Sequence, residues 1–140
     1  YPDADIPVAQ ISIETPLGAA HQMAVGRALA PLRDDGVLII GSGNITHNLR
    51  EMNRAEPDGE GHDWVVEFGD WVSDCLNGGR IDQLVDWENT APHARRSHPS
   101  DEHFLPLFTA LGAGGLNATA DRIHTSYSYG SLAMDMYAFN

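Results

Sequence analysis

Two histidines stand out by their surroundings. His47 follows Gly41-Ser42-Gly43-Asn44-Ile45-Thr46 and precedes Asn48, so it sits between two asparagines just past the apolar run Val37-Leu38-Ile39-Ile40. His103 follows Ser100-Asp101-Glu102 and so lies beside two carboxylates. Imidazole changes charge near neutral pH, so either residue could move a proton or bind a metal ion. The competing reading for His47 is a satisfied surface histidine in a capping loop, and for His103 a solvated helix start. His21, His62, His93, His98 and His124 have no metal-binding spacing such as His-x-x-x-His. No two carboxylates form an evident acid/base pair, and Trp64, Phe68 and Trp71 read most simply as core.

The glycines around Ser42 let the backbone turn tightly and let a ligand approach. Three well-known loops are excluded there by pattern. Ser42 lacks the G-x-S-x-G spacing of a nucleophile elbow. A dinucleotide loop needs a third glycine where Thr46 stands. A Walker loop needs a lysine, and the chain has none: all eight basic residues are arginine.

These residues must be placed by an ordered scaffold. Ile6–Ile13 reads as a strand from its β-branched content and partial alternation. Thr15-Pro16 starts a helix that runs through Arg33, with Leu17, Ala20, Ala24 and Ala28 on one face. Asp34-Asp35-Gly36 is a turn, and Val37–Ile40 reads as a strand buried on both faces. Together they predict a right-handed βαβ unit. Such sheets collect ligands beyond the carboxyl ends of their strands, which is where His47 falls. Asn53–Gly61 is a polar loop. His62–Leu76 is an amphipathic helix with Trp64, Phe68, Trp71, Val72 and Cys75 in one stripe, ended by Asn77-Gly78-Gly79. A short helix follows at Ile81–Trp87, and Thr90–Pro99 is loop. Ser100 is expected to cap a helix carrying Phe104, Leu107, Phe108 and Leu111, with Pro106 loosening its first turn. Gly112–Asp121 is loop, and the C-terminal stretch holds at least one strand around Leu132, Met134, Met136 and Tyr137.

Length and charge narrow the classes. The 140 residues predict one domain, 1–140, with its own core. A net charge of −12 argues against nucleic acid and anionic membranes as partners. One cysteine, Cys75, allows no internal disulfide and suits a reducing, cytoplasmic setting. No apolar run is long enough to span a membrane, and no secretory signal is evident, so the two glycosylation sequons, at Asn44 and Asn117, are read as chance. The chain begins at Tyr1, which predicts processing or residues upstream.

Four blocks, YPDADIPVAQISI, GSGNITHNL, DEHFLPLFTALGA and YGSLAMDMYAF, occur in this order. Together they resemble the C-terminal half of the class III extradiol ring-cleaving dioxygenases, in the DOPA-dioxygenase-type branch. The resemblance implies a three-layer α/β/α fold with a central mixed sheet. It implies opening of a catechol-type ring by O2 at a non-haem Fe(II) centre, with Zn(II) able to occupy the same place. It makes His47 the active-site histidine, at the metal and serving as acid/base, and His103 a metal ligand. Asn44 and Asn48 are then candidates to orient those rings or the substrate. Tyr129–Leu132 lies near the site without an assigned role. Two loops of the family's N-terminal half, each giving a histidine ligand, have no counterpart in these 140 residues. The expectation is therefore an N-terminal partner or a homo-oligomer that completes the site. The alternatives are an inactive remnant, or a metal- or aromatic-binding subunit.

Overall fold

The computed structural model describes residues 2–115 and 117–140, so the part of the expected loop at Leu116 lies outside the described residues. Helix α1 spans Gly18–Leu29, α2 Asp63–Asn77, α3 Ile81–Val85, α4 Trp87–Thr90, α5 Ala94–Ser97 and α6 Leu105–Gly114. Strand β1 spans Thr46–His47, β2 Ala120–His124, β3 Tyr127–Ser128, β4 Leu132–Ala133 and β5 Met136–Phe139. The strands form two small antiparallel sheets, one ordered β1-β4-β3 and the other pairing β2 with β5. The α/β character of the chain is as expected, but its described residues carry no central mixed sheet.

Helix α2 follows its sequence pattern closely. Trp64, Val65, Phe68, Val72, Cys75 and Leu76 are buried, as a stripe repeating every three to four residues requires. It packs on a nest of aromatic rings: Phe104 meets Phe68, Trp87 and Phe108 edge-on at centroid distances of 5.5, 5.3 and 5.2 Å. Edge-to-face geometry sets the positive ring edge against the negative face, which favours these pairs beyond their buried area.

Helix α1 turns a different face inward than its apolar spacing suggested. Ala19, Gln22 and Gly26 are buried, whereas Leu17, Ala20, Ala24 and Ala28 are exposed. The reason is the fit against α6. A Cβ at Gly26 would stand 2.0 Å from the Thr109 carbonyl oxygen, and one at Gly112 would stand 2.2 Å from that of Met23. The two helices touch backbone to backbone, and only glycine permits that approach.

The two segments expected as strands, Ile6–Ile13 and Val37–Ile40, have no ladder partners among the described residues, so no βαβ unit forms. A strand is defined by its neighbour, and the described residues supply none for either segment. Several of their apolar side chains stand in solvent, with Val8 87% exposed, Leu38 80% and Ile40 75%, while Ile13 packs against the core. Thr90–Pro99 is more ordered than expected, since α4 ends and α5 lies within it. Ser100 caps no helix; its hydroxyl donates to Glu102. Helix α6 begins at Leu105 instead, because Pro106 has no N–H to give and is accommodated only in a first turn. At its other end α6 continues through Gly114, past the expected start of a loop.

Candidate metal centre

The glycines ahead of His47 have a definite task. A Cβ at Gly41 would lie 2.2 Å from the Pro106 carbonyl oxygen, and one at Gly43 would lie 2.0 Å from that of His103. The two stretches therefore run in backbone contact, fastened where the Asn44 N–H donates to the His103 carbonyl at 2.8 Å. This brings His103 over His47. Their rings stack with centroids 3.7 Å apart and planes 27° from parallel.

Strand β1 holds His47 from the other side. Thr46 pairs with Ala133 and His47 with Leu132. The buried Thr46 hydroxyl donates to the Ser131 carbonyl at 3.0 Å and accepts from the Ala133 N–H at 2.8 Å. The Ser131 hydroxyl donates to the Asn48 carbonyl at 2.9 Å. Tyr129–Leu132, which had no assigned role, thus contributes the neighbouring strand and its hydroxyl clamp. The turn leading into it needs left-handed backbone at Tyr129 (φ 53°) and Gly130 (φ 71°).

Asn44 and Asn48 lie next to the histidines in space, but their side chains bond elsewhere. Asn44 Nδ2 donates to Met134 Sδ at 2.8 Å. Asn48 Nδ2 donates to the Arg96 carbonyl at 2.7 Å, and its Oδ1 accepts from the Arg50 N–H at 3.1 Å. Both hold the segments that carry the rings.

Burial first, and then the neighbouring His103, push the pKa of His47 below its ordinary value, while Glu102 pulls the other way. A neutral imidazole is both a proton acceptor and a metal ligand. The side chain of His103 is 41% exposed and sits 3.9 Å from the Glu102 carboxylate. Burial raises the carboxyl of Asp101, whereas hydrogen bonding to its own backbone lowers that of Glu102.

One residue that the sequence set aside for lack of metal-binding spacing lies close to the pair. His98 is buried among Phe68, Trp87 and Phe104, with its Nε2 2.7 Å from the Ile45 carbonyl oxygen. Burial lowers its pKa to about 4, partly offset by the bond to Ile45. No local pattern marks it, because its partners are two residues before His47 and one after His103.

The larger surface cleft lies apart from these residues. It measures about 710 Å3 and is lined by His62, Trp64, His93 and Arg96, with neither His47 nor His103 on its wall. Two of its side-chain pairs are engaged with each other, His93 with Glu67 at 2.7 Å and Arg96 with Glu51 at 3.0 Å. The stacked pair is the better candidate for chemistry because two imidazoles from separate segments meet there.

Whether a metal fits follows from the donor set. Two imidazoles suit iron or zinc, but a catalytic ion needs about three protein ligands besides its open positions. The described residues bring no group of three metal-binding side chains together. His47 and His103 fit as part of a ligand set, not as the whole.

Comparison with known proteins agrees with this partial geometry. Residues 1–139 match the family described as the catalytic LigB subunit of aromatic ring-opening dioxygenase. The chain is 41% identical over 140 residues to a 4,5-DOPA dioxygenase extradiol of Beta vulgaris, covering 99% of this chain and 51% of that one. It is 40% identical over 116 residues to the protein of the same name from Escherichia coli K12, covering 81% of this chain and 42% of that one. The fold matches the crystal structure of an uncharacterized Escherichia coli K12 protein with a TM-score of 0.84 at 34% identity, over 98% of this chain and 57% of the other. The chain thus spans about half the length of the relatives it matches. With both blocks that carry the stacked histidines inside the matched region, the chain belongs to the family of the catalytic LigB subunit of aromatic ring-opening dioxygenases.

Proposed function

We propose that residues 1–140 form one domain-sized half of an extradiol dioxygenase that opens a catechol-type ring such as that of DOPA with O2. The observation that carries this reading is the stacking of His47 on His103, two imidazoles delivered by separate segments to one place. Names of relatives, which include 4,5-DOPA dioxygenase extradiol, support the substrate class.

His103 and His47 are the residues that would hold the ion. A redox-active metal, Fe(II), supplies a way for a closed-shell catechol to react with triplet O2; Zn(II) in the same place has no redox states to offer. His47 takes a proton from a catechol hydroxyl and returns it later, since imidazole works on either side of neutral pH. Asn44 and Asn48 act by fixing the backbone on which these rings ride.

The remaining ligands come from a second half, either an N-terminal partner or another copy of the chain. That half also supplies strands for the exposed segments Ile6–Ile13 and Val37–Ile40, giving a central mixed sheet between two helical layers. No helix among the described residues is long and apolar enough to cross a membrane. The unpaired, buried Cys75 thiol supports a cytoplasmic setting.

The test is reconstitution. The chain is co-expressed with the N-terminal half of the Beta vulgaris relative, loaded anaerobically with Fe(II), and given DOPA and simpler catechols in an oxygen electrode. Oxygen uptake that disappears in His47→Ala, and bound iron that disappears in His103→Ala, are expected. A second reading, an inactive remnant, is favoured by the missing third ligand among the described residues. It prevails if no reconstituted form consumes oxygen.

A further inference from the structure

We infer that His98 is a positioning residue, a buried bracket that sets the His47 strand against the His103 turn. The inference rests on the reading of that histidine pair as the site. His98 is 2% exposed. Its Nε2 lies 2.7 Å from the Ile45 carbonyl oxygen, two residues before His47. A carbonyl can only accept, so Nε2 carries the hydrogen and Nδ1 keeps its lone pair. Nδ1 is buried and has no hydrogen-bond partner among the described residues. The flat face of the ring stacks on Phe104, the residue after His103, at 4.8 Å and 24°. One ring therefore grips the His47 segment by a hydrogen bond and the His103 segment by a stack.

A histidine kept for volume alone would be a poor choice here. Burying a polar nitrogen without a partner costs free energy, and a phenylalanine would fill the same space without that cost. What phenylalanine lacks is the donor to Ile45. That donor is the feature of the ring that fixes where the strand carrying His47 begins.

The test uses the metal-free chain with its histidines labelled with nitrogen-15, so it needs no turnover. In the unmutated chain at neutral pH, the His98 ring should show the Nε2–H tautomer with a slowly exchanging proton. The stacked rings of His47 and His103 should each move the other's carbon-bound protons upfield. His98→Phe should fold and yet lose the upfield shift on both rings, while His98→Gln, which restores an N–H donor of similar reach, should recover most of it. The inference is overturned if His98→Phe leaves both rings unmoved, or if Phe and Gln shift them equally. Should His98→Phe fail to fold, the tautomer decides alone: a His98 ring with no hydrogen on Nε2 rejects the proposal, and a slowly exchanging Nε2–H supports it. Failure of oxygen uptake in the reconstituted enzyme, with these shifts intact, would count against the dioxygenase reading only.

Discussion

Gly43→Ala should separate the two histidines. The backbone at Gly43 is not in the left-handed region, so alanine is not excluded by its own conformation. The obstacle is the neighbour. The new methyl would stand 2.0 Å from the His103 carbonyl oxygen, where a real Cβ stays beyond 3.0 Å, so the two stretches must part by about 1 Å. The Asn44 N–H to His103 carbonyl bond, now 2.8 Å, would then stretch past the hydrogen-bonding range. Losing that bond costs about 1 kcal/mol, and the forced shift about 1–3 kcal/mol more. Set against that, alanine gains less than about 1 kcal/mol by having less freedom to lose on folding. The net expectation is a loss of about 1–4 kcal/mol. Urea unfolding followed by circular dichroism gives the stability, and the ring-proton shifts of His47 and His103 report the stack. A Gly43→Ala chain as stable as the parent, with its stack intact, would refute the close-approach argument.

Three further expectations follow from the geometry. The Asp135 side chain is fully buried and accepts from Arg122 at 2.9 and 2.8 Å. Asp135→Ala leaves that guanidinium the exposed Asp70, at 3.4 Å, as its remaining carboxylate among the described residues. The loss should be about 3 kcal/mol in urea unfolding, and a loss under about 1 kcal/mol would count against the buried pair. His98 holds a folded pKa of about 4 against an ordinary 6.5, so the unfolded chain takes up its proton first as pH falls. Its contribution is full above pH 6.5, is lost between 6.5 and about 4, and amounts to about 3 kcal/mol. Unfolding at pH 7 and pH 4.5 should differ by most of that amount in the parent and by clearly less in His98→Gln; equal slopes would reject the assignment. Finally, the paired substitutions Val8→Ser and Leu38→Ser remove side chains that are 87% and 80% exposed. Unfolding should change by less than about 0.5 kcal/mol, while assembly with a complementary half weakens at least tenfold in a titration.

The parts legible in the sequence are those whose cause is local. The stripe from Trp64 to Leu76 declares helix α2, because a repeat every three to four residues has few other uses. Ile6–Ile13 and Val37–Ile40 carry strand composition just as clearly, yet they form no strand, because pairing depends on a neighbour the described residues do not contain. Helix α1 misled for another reason: its inward face is chosen by the glycine contact with α6, which no hydropathy spacing encodes. His47 and His103 were brought forward by residue type and by resemblance, while their stacking arises from a backbone contact between distant segments. His98 was set aside for its spacing, and its place beside the pair was not legible because both of its grips are tertiary.

The exposed apolar segments also bear on how copies of the chain should treat one another in solution. Each copy carries bare apolar edges together with a net charge of −12, so contact and repulsion compete at the same surface. At low ionic strength the repulsion reaches tens of ångströms and keeps edges apart; near 0.15 M salt it falls to about 8 Å. Added salt should therefore drive these molecules together, where an interface built on ion pairs would loosen. Light scattering of the chain across a salt series would read that balance directly.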